Sequence, residues 1–248
     1  YHLLKAIPGS EKVKIGLVKN IFQFDPLRRW HLLDWAFSKI LNDVYTNAPL
    51  EFLKTGKSSF YMPGMVDNEM LNPEAPGTLD FIGLNYYSRM HVKGRLNPEE
   101  PFIFDTRQQD IMTDMGYPLY AEGFYRALKT ISEVDVPIYV TENGLADDKD
   151  TVRPLFIERY LYALNQALKE RIDIRGYFYW SLMDNFEWAE GYSMKFGLYE
   201  VNLETQERKL RKGSQPFIDM VTKRGADERG YLVRIGETAA DFTMDYTT

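Results

Sequence analysis

The stretch VPIYVTENG, Val136–Gly144, is an apolar run that turns polar over its last residues and closes on Asn-Gly, a turn signal. Being apolar along its length rather than alternating, it reads as a strand buried on both faces, as in parallel sheets. Glu142 stands where that strand gives way to its turn. From this stretch alone two readings carry equal weight. Either the carboxylate points to solvent from an ordinary turn, or it serves as nucleophile or base at the C-terminal mouth of a parallel sheet.

The same rhythm recurs on either side. Upstream, VKIGLVKN (Val13–Asn20) and LDFIGLNYYS (Leu79–Ser88) read as strands, and downstream IRGYFYWSLMD (Ile174–Asp184) reads as a fourth. Asp25-Pro26 reads as an N-cap with proline at the first helical position. It opens a helix on which Trp30, Leu33, Phe37, Ile40, Leu41 and Val44 recur at helical spacing. Phe124, Leu128, Ile131 and Val134 mark a second helix, Ile157, Leu161, Leu164 and Leu168 a third, and Ser214–Lys223 a short last one. Thr55–Gly77 reads as a polar connection, and GLYEVNLETQERKL as a hairpin-like segment. Strand and helix in alternation are the pattern of parallel βα units. The expected fold class is therefore α/β, of the (β/α)8 TIM-barrel type, with this chain supplying four of the eight units. Residues 1–224 are expected to form that half-barrel, and 225–248 a charged, weakly periodic tail.

Composition narrows the function. The chain has 248 residues, 44% of them hydrophobic, enough apolar mass for a sizeable core. A net charge of −6 with no Lys/Arg-rich stripe argues against nucleic acid. There are no cysteines, which removes disulfides and thiolate metal sites. His2, His31 and His91 share no metal-ligand spacing, no Gly-rich phosphate loop occurs, and no G-x-S-x-G elbow suggests a serine triad. No metal or cofactor is expected. No apolar run approaches the ~20 residues that span a bilayer, so no membrane partner is expected. The chain opens at Tyr1 rather than Met, and YHLLKA reads as the tail of a helix, so a piece of a longer protein is expected. The expected location is the cytoplasm, with secretion left open by that N-terminus.

Two further stretches carry chemistry. At the end of LDFIGLNYYS, alternation sends Tyr86 toward the helices and Asn85 and Tyr87 toward the interior, where a phenol can hold a carboxylate. In YFYWSLMDNFEWAEGYSMKFGLY, Tyr177–Tyr199, Trp180 ends a strand, Glu187 and Trp188 follow in its loop, and Phe196 closes it. Aromatic planes suit the apolar C–H face of a sugar, and carboxylates accept from adjacent hydroxyls. An aromatic core cluster explains Trp180 and Phe186 but not a Glu187 wedged between aromatics.

Taken together, these segments resemble the C-terminal half of family 1 glycoside hydrolases, the retaining β-glucosidase and β-galactosidase family. The likeness runs in order from about Tyr1 to Lys223. VPIYVTENG resembles the family's nucleophile motif, which implies Glu142 as nucleophile. IGLNYYS resembles the segment whose asparagine and second tyrosine, here Asn85 and Tyr87, support the catalytic carboxylates. WSLMDNFEWAEGYSMKFGLY resembles the glycone-binding signature. It implies Trp180 as sugar platform, Glu187 gripping adjacent hydroxyls, Trp188 at a neighbouring hydroxyl and Phe196 lining the pocket. A Glu187-Trp188 pair, rather than smaller or basic groups, implies unphosphorylated β-linked glycosides as substrates.

The sequence also departs from the family. The acid/base glutamate of these enzymes lies in a T-x-N-E-P motif, and none occurs here. The expectation is a β-glucosidase-like hydrolase whose acid/base and early-strand sugar contacts lie in a missing N-terminal half. The alternatives are a sugar- or protein-binding relative without turnover, and a half-barrel that needs a complementary chain. Four units alone leave two sheet edges and an unpacked inner face, so marginal stability is expected.

Overall fold

The computed structural model describes residues 1–62 and 66–223; the expected tail, 225–248, lies outside them. A short helix α1 (His2–Lys5) leads to strand β1 (Gly16–Pro26) and helix α2 (Leu32–Asn42), which passes through a wide turn (Asp43–Asn47) into α3 (Ala48–Thr55). Next come β2 (Lys57–Met62) and β3 (Val66–Leu71), then β4 (Phe81–Gly94), β5 (Phe102–Asp105) and α4 (Ala121–Ser132). The chain continues through β6 (Ile138–Asn143), α5 (Arg153–Lys169) and β7 (Ile174–Tyr179). The hairpin β8 (Tyr199–Val201) and β9 (Arg208–Leu210) follows, and then α6 (Gln215–Lys223). Strands β1, β4, β6 and β7 lie side by side in that order, each neighbouring pair parallel. With helices following each strand, this is a partial (β/α)8 barrel, as expected.

The outer face of the sheet holds the core. Ile82, Leu84 and Tyr86 of β4 and Ile138 and Val140 of β6 pack against Phe124, Leu128 and Ile131 of α4 and Phe156, Tyr160 and Leu161 of α5. Each large apolar side chain buried there contributes about 1.5–3 kcal/mol. Tyr160 stacks on Phe156 at 4.0 Å between ring centroids. Its hydroxyl stays satisfied by donating to the Tyr87 carbonyl and accepting from the Tyr120 N–H. The inner face is different: Val18 of β1 and Phe178 of β7 are each about half exposed, at 51% and 58%.

Three local expectations are corrected. Asp25-Pro26 does not start a helix. It ends β1, whose pairing with β4 runs on to Pro26 opposite Val92, and Pro26 is tolerated because β1 is the edge strand. Helix α2 starts later, at Leu32, leaving Trp30 outside and exposed. What fixes that start is Asp34, fully buried, which accepts from the Arg28 and Gly94 N–H groups and pairs with the Arg28 guanidinium at 2.6 Å. Burial alone would push the Asp34 carboxyl up; Arg28 and the two N–H donors outweigh it and hold it at about 2. Second, β4 does not stop at Ser88 but runs to Gly94, because β5 pairs antiparallel with its far end. Third, the stretch read as a polar connection contains the antiparallel pair β2–β3.

Candidate active site

Strict alternation from the core residues Ile138 and Val140 would carry Glu142 to the helix side. The register prevents it. Leu84 pairs with Val140 but Asn85 pairs with Glu142, so Thr141 is an extra residue on β6. Such a bulge re-aims the side chain that follows. Glu142 thereby joins Asn85 and Tyr87 on the inner face. The Tyr87 hydroxyl donates to Glu142 Oε2 at 2.6 Å, and the Thr141 hydroxyl donates to Asn85 Oδ1 at 2.6 Å. Asn143, buried, resumes the structural role: its amide donates to the Tyr86 carbonyl and its Oδ1 accepts from the Tyr177 hydroxyl.

Burial raises the Tyr87 hydroxyl far above the usual phenol range, and the hydrogen bond to Glu142 and that carboxylate's charge raise it further. Tyr87 is thus a neutral, fixed donor. Its ring meets Phe196 edge-on at 6.2 Å and lies 6.3 Å from that of Tyr117.

The segment after β7 folds back on the same inner face. The Trp180 N–H donates to the Asn143 carbonyl at 2.9 Å, tying the end of β7 to the end of β6. Gly144 is required beside it, because a Cβ there would run into the Trp180 carbonyl. The Trp180–Ser181 peptide is cis. The returning chain is pinned by bonds from Leu198 N–H to the Ser181 carbonyl and from Gly197 N–H to Asp184. Asp184 in turn forms a buried pair with Arg211 at 2.7 Å. Phe196 is buried as a result.

Glu187 accepts a hydrogen bond from the Trp180 side chain. Its carboxyl is raised above the ordinary range by burial first and also by the negative charge of Glu142, while the Trp180 bond opposes the rise. The two carboxylates therefore sense each other within one region. Trp188 stands apart from this set: it is 82% exposed on a short 3-10 turn, beside the exposed ring pair Phe186–Tyr192.

Sequence reasoning missed Arg153. Its side chain is fully buried at the start of α5. It donates to the carbonyls of Asp147 and Lys195 at 2.9 Å, to that of Phe196 at 3.2 Å, and to the Tyr179 hydroxyl at 2.9 Å, and it pairs with Asp150. One guanidinium thus fastens the loop after Glu142 to the loop that delivers Phe196. Arginine in an amphipathic helix reads as a solvent-facing residue, so no sequence signal marked it. Among the described residues, no group of three or more His, Asp or Glu is placed to hold a metal ion.

A family model described as Glycosyl hydrolase family 1 matches residues 26–226. A β-glucosidase A of Thermotoga maritima is 32% identical over 262 aligned positions, covering 92% of this chain and 56% of its own. A β-galactosidase of Pyrococcus woesei is 39% identical over 168 positions, covering 60% of this chain and 33% of its own. Among solved structures, a β-glycosidase from Pyrococcus horikoshii superposes with a TM-score of 0.73 at 34% identity, over 90% of this chain and 51% of that one. The chain spans about half the length of the relatives that match most of it.

Proposed function

This chain belongs to glycosyl hydrolase family 1, and on that premise we propose that it supplies the nucleophile half of a retaining β-glycosidase acting on β-linked glucosides or related glycosides. The observation that carries this reading is the 2.6 Å bond from the Tyr87 hydroxyl to Glu142 at the C-terminal end of the parallel β4–β6 pairing. A neutral donor on one carboxylate oxygen fixes the orientation of that carboxylate, leaving the other oxygen to attack.

In the proposed mechanism Glu142 attacks the anomeric carbon as the glycosidic C–O bond breaks. An acid/base carboxyl, contributed by the barrel half that this chain does not supply, protonates the leaving oxygen. Retention calls for the two carboxyls about 5–5.5 Å apart. Water, deprotonated by that same group, then displaces the sugar from Glu142, restoring the carboxylate and the β configuration. Asn85, hydrogen-bonded to Thr141 beside Glu142, supports the carboxylate and the sugar. Trp180 forms the platform under the ring, Glu187 accepts from adjacent hydroxyls, and Phe196 lines the wall next to Tyr87. Trp188, exposed here, contacts a neighbouring hydroxyl when a sugar lies against its loop. Contacts that tighten as the ring flattens toward an oxocarbenium-like state contribute to rate rather than to uniform binding.

The test is covalent trapping. A 2-deoxy-2-fluoro-β-glucosyl fluoride has a leaving group that needs little protonation and forms a slow-turnover ester with a glycosidase nucleophile. Incubated with the assembled barrel and mapped by peptide mass spectrometry, it should label Glu142, and Glu142→Gln should abolish the label. Reversible sugar binding with no label at any carboxylate would favour a relative without turnover.

A further inference from the structure

A second region, on the helix side of the β1 and β4 strand ends, carries more positive charge than the fold needs. A cavity of about 500 Å³ between α2, α4 and these strand ends is lined by Arg29, Lys39, Arg89, Arg107 and Arg126, against two carboxylates, Asp25 and Asp43. The whole chain, by contrast, has a net charge of −6, so the excess is local. Lys39 is taken by Asp43. Asp25 is shared between Arg89 at 3.3 Å and Arg126 at 3.8 Å, and the other arm of Arg89 reaches Asp110 at 3.2 Å.

That leaves Arg29 and Arg107 with no carboxylate partner among the described residues. Arg107 is instead oriented by two main-chain acceptors, the carbonyls of Pro26 at 2.8 Å and Leu27 at 3.3 Å. Arg89 Nε is buried with no hydrogen-bond partner in the protein. The electrostatics agree with the geometry. Arg107 is lowered from its ordinary range by burial and by the charges of Arg89 and Arg29. His91, buried behind them, is lowered to about 4 by burial and by Arg89 and Arg107.

Aromatic residues complete the wall. Both Arg89 and Arg126 lie over the Tyr120 ring, at 4.0 and 5.1 Å from its centroid, so that ring is already occupied. Trp35, half exposed on α2, is the aromatic surface left open.

We propose that this cavity binds a phosphate monoester of a small apolar or aromatic molecule, with Arg29 and Arg107 on the phosphoryl oxygens and Trp35 against the carrier. Guanidinium forks match tetrahedral oxyanions, and a bound dianion offsets the repulsion among the clustered cations. The cavity is also larger than one oxyanion needs, which leaves room for the ester group. The site is independent of the glycosidase reading, since none of its lining residues belongs to the Glu142 set.

The experiment is calorimetric titration of the 248-residue chain at fixed ionic strength with inorganic phosphate and with phenyl phosphate. Saturable binding of both is expected, tighter for phenyl phosphate. Arg29→Ala removes an exposed, unpaired side chain and leaves the fold intact; it should weaken both by about tenfold or more, as loss of one charged donor does. Arg107→Ala should do the same, with its fold checked by circular dichroism, and Lys209→Ala, on the distant hairpin, should change nothing. Trp35→Ala should remove the preference for phenyl phosphate. Absence of saturable binding by the parent chain, or unchanged binding by Arg29→Ala, overturns the proposal; equal affinity for the two ligands overturns the role of Trp35.

Discussion

The two faces of the main sheet are made by the same strands and serve opposite ends. On the outer face, Ile82, Leu84, Tyr86, Ile138 and Val140 are all at most 1% exposed, sealed by α4 and α5. On the inner face stand Asn85, Tyr87, Thr141 and Glu142, hydrogen-bonded in two pairs, Tyr87 to Glu142 and Thr141 to Asn85, with Val18 and Phe178 half open to solvent. Alternation along a strand divides the residues this way without any further device. The exception is Glu142, whose place in the count belongs to the outer face. One extra residue, Thr141, transfers it to the inner face. The apolar core and the polar side-chain cluster are therefore separated by the pleat, and a bulge sets the boundary between them.

The largest test of that separation is a pair of truncations. Phe124→Ala, in the outer core between Tyr86 and Tyr160, should cost about 3–5 kcal/mol in urea unfolding. Phe178→Ala, on the inner face, should stay within about 0.5 kcal/mol. Equal losses would erase the distinction. Next in size is Arg153→Met, which strands several buried carbonyls and Asp150; a loss of about 3 kcal/mol is expected by the same assay.

Tyr87→Phe probes the inner face by function. It removes one hydrogen bond to a charged acceptor, which is typically about 1.5–3 kcal/mol. The rate of Glu142 labelling by the fluorosugar should therefore fall by about ten- to hundred-fold in the assembled barrel, with the unfolding midpoint little moved.

Two effects depend on pH. Asp34, held at about 2, lies below the ordinary carboxylate value. Its contribution is thus present above that ordinary value and is lost as pH falls through about 2. Asp34→Asn should be less stable than the parent at pH 7, with the gap closing between about pH 4 and 2 in acid unfolding curves. The smallest effect concerns Glu187, whose carboxyl is raised partly by Glu142. Glu142→Gln should move the Glu187 titration downward in an NMR-detected pH series. An unchanged titration would mean that the two carboxylates do not share a region.

Much of this was legible in the sequence because periodicity and turn chemistry agree. Strands β4, β6 and β7 and helices α4 and α5 follow from apolar runs and helical spacing, whereas the Tyr87–Glu142 pairing is implied by the family motifs and not by alternation. What was not legible depends on pairing between distant segments. Asp25-Pro26 carries a good local helix-start signal, yet ladder bonds to β4 keep it in a strand. The reach of β4 to Gly94 depends on β5, which only tertiary structure brings alongside. The bulge at Thr141 has no side-chain signature, and Arg153 has the composition of a surface residue. In each case a contact far along the chain overrides a local preference.

On the proposed function, the inner face is one wall of an active site and needs another. The direct measurement is hydrolysis of an unactivated alkyl β-glucoside by the 248-residue chain, alone and mixed with a chain carrying the other four βα units. General-acid assistance typically contributes about 10²–10⁴-fold, and the T-x-N-E-P motif that would carry it does not occur in this sequence. No useful turnover is expected from the chain alone, with recovery on mixing and loss of that recovery with Glu142→Gln. Robust hydrolysis by the chain alone, or recovery that survives Glu142→Gln, would contradict it.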